Sequence, residues 1–595
     1  MKAAQTLVAG GLCLAATLLL TLNSCNYGRP FSKNTGNSRS VVGQKDVAEE
    51  PNTYSKASEE KNAPPAPPVV NAITMGTVTE QGAADEAPVA GTYTVTVHDA
   101  NGVTYSWKPA DKEDQKAPGN TQQQEFNTEA YNYIQENEFL RPLEKPLSTF
   151  SIDVDVASYG IMRKKLESGQ SVPKDAVRLE ELVNYFNYNY AEPAAGQPFS
   201  VNTELSACPW NANHKLLRIG IHGKSIDTKE LPSANLVFLI DVSGSMDEAD
   251  KLPLVKSSLR LLVNQLGPKD RVAIVTYAGA SGLALPSTAC SNKEKIFKAI
   301  EDMEAGGSTN GADGIELAYK VAKENFMAEG NNRVILCTDG DFNVGVTSDG
   351  DLVRLIEKKR KEGVFLSVLG YGMGNYQDGK MEQLADKGNG NYAYIDNIFE
   401  ANKNLVSQMG ATLLCIAKDV KIQVEFNPVK VKGYRLLGYE NRVMADQDFN
   451  DDTKDAGEIG AGTNVTAFYE ITTSENDESL NKPKVDALKY QSLGNAGNST
   501  DLLTVKLRYK EPKEEKSKLI EMPVADNSTA FASASEDFRF AASVISFGML
   551  LRDSKFKGNS SIDKVLEWAR NAKGADSEGY RTEFIRLAGL AKNTL

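Results

Sequence analysis

Leu236-Val-Phe-Leu-Ile240-Asp241-Val-Ser243-Gly-Ser245 decides the fold. Five consecutive apolar residues that end on an acid read as a central parallel strand, buried on both faces. A half-exposed strand would alternate in polarity instead. From this run the patterns of strand and helix alternate. Residues 252–266 are amphipathic, 271–277 are the next strand, 296–303 and 315–326 are helical, and 333–338 are strand. A helix at 352–361, a strand at 364–369, a helix at 381–387, a strand at 392–395 and a last helix at 398–414 follow. The alternation predicts an α/β fold, a doubly wound, mostly parallel sheet with right-handed crossovers, over residues 233–414.

The stretches on either side read differently. Upstream, helices are predicted at 127–138, 159–166 and 178–188, and strands at 147–156, 201–205 and 215–221. They make an α+β flank at 126–232. Downstream, period-two patterning at 420–426, 429–437, 464–471 and 502–509 predicts an antiparallel β-rich unit at 415–535. Two polar insertions, 446–462 and 473–500, read as mobile loops. Helical patterns at 540–551, 562–572 and 580–591 form a C-terminal segment at 536–595. Residues 25–125 are rich in Asn, Ser, Ala and Pro and read as a disordered spacer. Within it, 92–97 and 103–107 flank Asp99-Ala-Asn-Gly102, the signature of a small hairpin.

Composition removes several function classes. The chain has 595 residues, so three or four units are expected. Its formal net charge is −13 and no Lys/Arg-rich block offsets it, which argues against a nucleic-acid partner. Only three His are present, none at ligand spacing with Cys, so zinc is disfavoured. Of six Cys, Cys208, Cys290, Cys337 and Cys415 are widely spaced in the folded part, and spacing alone does not pair them. At the start, Lys2, an apolar run over 7–22 and Asn23-Ser24-Cys25 have the layout of a secretory signal. The run is short for a membrane span and contains Thr17 and Thr21. Leu22-Asn-Ser-Cys25 resembles the lipobox of bacterial lipoproteins. That resemblance implies removal of residues 1–24 and a lipid anchor on Cys25.

Asp241, Ser243, Ser245, Thr309 and Asp339 are the candidate site. Parallel sheets bind ligands beyond the carboxyl ends of their strands. Asp241 and Asp339 each follow such an end, and Thr309 follows the loop Gly306-Gly-Ser308. Oxygen-only donors point to a hard divalent cation, Mg²⁺ first, with Ca²⁺ or Mn²⁺ as alternatives. The bland reading of Ser243 and Ser245 is a helix cap; oxygen donors from three separate loops favour the metal. Asp313 reads as a first-turn helix acid, Asp341 as solvated, and Asp247 and Glu248 as residues that tune the local field. No catalytic residue is assigned: Ser243 is outside a G-x-S-x-G elbow, the domain lacks His, and no Walker A sequence is present.

Asp-x-Ser-x-Ser with a downstream Thr and Asp resembles the metal-ion-dependent adhesion site of von Willebrand factor A domains. The resemblance implies that the hydroxyls ligate directly, that the Asp pair often acts through water, and that a vacant position takes an Asp or Glu carboxylate from a protein partner. Further, 127–131, 146–155 and 178–186 resemble the N-terminal flank, and 537–541 with 579–584 the C-terminal signature, of a family of bacterial envelope proteins, often lipoproteins. The expectation is a non-enzymatic, lipid-anchored protein of the cell envelope, at the outer membrane. Asn26-Tyr-Gly-Arg29 lacks an acidic cluster, which favours the periplasmic face. Two alternatives stand beside it: a structural scaffold whose metal stiffens loops, and a metal-dependent hydrolase built on Asp241 and Asp339.

Overall fold

The computed structural model describes residues 95–98, 104–107, 128–153, 155–227, 231–308, 311–340, 349–474, 477–480 and 499–595. Cys25, the export segment, most of the spacer, Thr309, Asp341 and much of the second polar insertion lie outside them. Among the described residues the strands form four sheets. One is the hairpin expected in the spacer: Val95–His98 pairs antiparallel with Thr104–Trp107.

The central sheet has six strands in the order Tyr392–Ile395, Phe365–Tyr371, Asn331–Thr338, Ala234–Asp241, Arg271–Tyr277 and Ser281–Ala289. The first five are parallel, and the last runs antiparallel along the edge. Both faces are covered, as the apolar run requires. Leu236, Phe238 and Ile240 pack on one side against the helix Leu252–Gln265. Val237 and Leu239 pack on the other with Ile315 and Tyr319 of the helix Ala312–Glu324. Each such side chain, fully buried, contributes about 1.5–3 kcal/mol. The edge strand Ser281–Ala289 is absent from the sequence reading, because Gly282 and Pro286 interrupt its pattern. An edge strand tolerates that.

The stretches before and after this sheet are joined by strand pairing. His214–Gly223 lies between Phe199–Ala207 and Asn464–Thr472, and Gly433–Leu437 completes a four-stranded antiparallel sheet. Leu147–Ser151 pairs with Cys415–Phe426, which also pairs with Asp501–Lys510; Lys518–Ala525 and Gly457–Gly460 complete a second antiparallel sheet. Phe150, Ile219, Ile422 and Tyr469 belong to the core between these two sheets. On the far side, Phe186 and Tyr185 pack with Phe540, Phe547 and Phe584 from the C-terminal helices Glu536–Leu551 and Tyr580–Leu590. The central domain is thus inserted into a body built from both ends of the folded chain.

Two sequence expectations need correction. Residues 128–138 form no helix. Their backbone is bound elsewhere: Thr128 N–H donates to the Gly374 carbonyl at 2.7 Å and Ala130 N–H to that of Tyr376 at 3.0 Å. Tertiary partners for the backbone override a helical pattern too weak to hold by itself. Residues 446–462 are ordered structure, a short helical turn at Asp446–Asn450 and the strand Gly457–Gly460, which the polar composition hid.

Candidate metal centre

Asp241 is the last residue of its strand, and the neighbouring strand Asn331–Thr338 ends one residue before Asp339. The parallel register sets Ile240 opposite Cys337, so both acids arrive at the same rim. Both are wholly buried. The Ser243 backbone N–H donates to Asp241 Oδ1 at 2.9 Å, and Thr338 Oγ1 donates to Oδ2 at 3.4 Å. Ser243 Oγ and Ser245 Oγ are 3.1 Å apart, with Ser245 exposed, so the hydroxyl side of the site opens to solvent.

Neighbouring loops are fastened to this one. Gly244 N–H donates to the Gly307 carbonyl at 3.0 Å, and Gly306 N–H donates to the Val242 carbonyl at 2.7 Å. Gly307 has φ of +87°, open to glycine at little cost. This loop is followed as far as Ser308, next to Thr309. After Asp339, Gly340 has φ of +105°; a Cβ there would lie 2.7 Å from Tyr376 Cα and 2.8 Å from Gln377 N. No larger residue fits that turn.

The electrostatics bear on what these residues could hold. Burial pushes the Asp241 carboxyl up to about 6; hydrogen bonds from Ser243 oppose the shift, and the charge of Asp339 adds to it. Among the described residues, Asp339 Oδ1 has no hydrogen-bond partner. Its Oδ2 lies 3.3 Å from the Lys251 ammonium without a well-formed hydrogen bond. A buried carboxylate oxygen without a partner is costly, and such groups signal an ion or ligand. Two carboxylates and two hydroxyls are hard oxygen donors, so these residues fit a hard divalent cation. Among the described residues no group of three or more His, Cys, Asp or Glu could hold a metal. A site here therefore needs the hydroxyls as well as the two acids.

Asp313 is exposed in the first turn of its helix, as an ordinary helix acid should be. Glu248 bonds to Lys251 at 3.1 Å. Lys251 is the residue beside these acids that the sequence reading missed. It precedes the helix Leu252–Gln265, where a cation opposes the helix dipole. An unfavourable charge at that position was the available signal. His214 and His222 belong to the strand His214–Gly223 in another sheet.

Comparison with known proteins agrees with this architecture. Residues 235–408 match the von Willebrand factor type A domain, 125–218 match the family described as von Willebrand factor, and 411–594 match the C-terminal family of "Uncharacterized protein YfbK". The chain is similar to "Uncharacterized protein YfbK" of Escherichia coli (strain K12), 44% identical over 78% of this chain and 81% of that one. It is also similar to "Uncharacterized protein sll0103" of Synechocystis, 28% identical over 32% of this chain and 44% of that one. Among solved structures, a von Willebrand factor type A protein from Catenulispora acidiphila aligns with a TM-score of 0.37 and 14% identity, over 66% of this chain and 89% of that one.

Proposed function

The chain belongs to the bacterial von Willebrand factor type A family that includes YfbK, and from that premise we propose that it is a non-catalytic, metal-dependent protein-binding module of the cell envelope. The domain type suggests a role in protein–protein interaction or scaffolding. The finer reading rests on one observation: fully buried Asp339, with an oxygen that has no partner among the described residues, stands at one rim with Asp241 and with the paired hydroxyls of buried Ser243 and exposed Ser245. Asp241, Ser243, Ser245 and Asp339 would hold the cation, with Thr309 as the expected fifth donor. A bound divalent cation supplies a Lewis-acidic position that a carboxylate from a partner can fill. Ser243 N–H and Thr338 Oγ1 orient Asp241, and Gly340 allows the turn that carries Asp339.

Placement at a membrane rests on Leu22-Asn-Ser-Cys25 and the apolar run before it. We infer a lipid anchor at Cys25 and a periplasm-facing outer-membrane protein. Among the described residues, no helix is long and apolar enough to cross a membrane. The test is affinity capture from envelope extract with Mg²⁺, with EDTA, and with the Asp339→Ala variant. Capture lost in both of the latter supports the reading. A scaffold reading is favoured by buried ion pairs that tie the domain to its flank, Arg163 with Asp396 and Arg178 with Asp378; capture that persists under both conditions selects it and overturns the metal-dependent one.

A further inference from the structure

Lys251 stands inside the candidate site and belongs to none of the expected donors. Its ammonium donates to the Ser245 carbonyl at 2.9 Å and lies 3.3 Å from Asp339 Oδ2 and 3.1 Å from Glu248 Oε1. Only 3% of the residue is exposed. Its stem runs against Gly372 at the end of the strand Phe365–Tyr371, where a Cβ would lie 2.4 Å from Lys251 Cε. The glycine, at φ of +68°, leaves the slot that the lysine fills. The ammonium is thus held in place, and its contacts span the Ser245 loop and the Asp339 loop.

Charge determines the consequence. Glu248 is on the exposed side, where solvent screens it. Inside, the carboxylates of Asp241 and Asp339 and the one ammonium, which lies against Asp339, leave one negative charge. A divalent cation reverses this to one positive charge. Without the lysine, the same cation would leave the site neutral. A fixed ammonium beside the carboxylates repels an arriving cation, and the repulsion is strong because burial lowers the effective dielectric. The same surplus charge attracts an anionic ligand to the loaded site.

We propose that Lys251 is a built-in third charge of the site, which weakens divalent-cation binding and gives the loaded site its preference for a carboxylate ligand. The proposal rests on the metal-site reading above and adds a positioning residue to it. Loading then depends on cation and carboxylate together: each lowers the cost of binding the other, as linkage requires.

The test uses the full chain, Mn²⁺ as the cation and acetate as the carboxylate. Electron paramagnetic resonance reads Mn²⁺ binding, and water-proton relaxation reads the displacement of metal-bound water by acetate. Lys251→Met keeps an apolar stem against Gly372, and Lys251→Gln is a second neutral variant; thermal melts establish that each is folded. The expected result is Mn²⁺ binding about tenfold tighter in the neutral variants. Acetate binding to the loaded protein should weaken by about tenfold. Mn²⁺ affinity unchanged or weakened in a folded variant overturns the proposal while the metal site stands. No Mn²⁺ binding by the unmodified chain overturns the metal-site reading, and this proposal with it.

Discussion

Arg163 grips Asp396 with two nitrogens, Nε to Oδ2 at 2.7 Å and Nη2 to Oδ1 at 2.5 Å, although 233 residues separate them. The same guanidinium reaches Glu400 at 2.7 Å and Glu583 at 3.1 Å. It therefore ties three regions together: the flanking helix Ala157–Glu167, the end of the central domain and the C-terminal helix Tyr580–Leu590. Arg163, Asp396 and Glu400 are almost wholly buried, and Tyr159 stacks on Tyr185 beside them with ring centroids 3.6 Å apart.

Arg163→Met leaves buried carboxylates without their cation. Breaking one side of a buried ion pair costs about 3–5 kcal/mol. Denaturant unfolding of the variant should show a loss of that size. A loss below ~1 kcal/mol would mean that the network is not what couples the three regions.

Asp339→Asn should abolish stabilisation by divalent cation. At a free Mg²⁺ concentration 100 times its Kd, a ligand specific for the folded state adds about 2.7 kcal/mol. Thermal melts of the unmodified chain should therefore rise with Mg²⁺ and fall back with EDTA, whereas those of the variant should not respond. An equal response in both would remove Asp339 from the site.

Gly340→Ala tests the turn itself. A left-handed backbone costs a non-glycine residue about 1–3 kcal/mol, and the new methyl would also press on Tyr376 and Gln377. The expected outcome is a destabilised protein with a blunted Mg²⁺ response. A variant as stable as the parent would show that the loop can relax.

His214 should make stability depend on pH. It is buried, with Nδ1 2.5 Å from Glu470 Oε1 and Nε2 2.9 Å from Asp477 Oδ2. Burial alone would lower its pKa; the hydrogen bond and charge of Glu470, with Asp477, outweigh burial and raise it. A raised histidine stabilises most fully below its unfolded value, ~6.5, and that contribution is lost as pH rises through the folded value. Melting temperature should fall on the alkaline side of neutrality. His214→Gln should flatten that slope, and an unchanged slope would assign it to other groups.

The central domain was legible because a doubly buried parallel strand must be continuously apolar. Leu236 to Ile240 could be little else, and the strand–helix alternation after it constrains the topology to a few arrangements. The positions of Asp241 at its strand end and of Asp339 just past the next were legible for the same reason: in a parallel sheet, all carboxyl ends share one rim. Tertiary structure alone decided the rest. The backbone of Thr128 and Ala130 takes its partners from a loop more than 200 residues away, and that of Ile134 from the Asp175 carboxylate; local periodicity carries no record of either. The pairing of Leu147–Ser151 with Cys415–Phe426 joins the two sides of an inserted domain, and each strand taken by itself shows only an apolar face. Lys251 is the clearest case. In sequence it is a single charge ahead of a helix; the fold buries it against Gly372 and sets it 3.3 Å from Asp339, where burial turns an ordinary surface residue into part of the site.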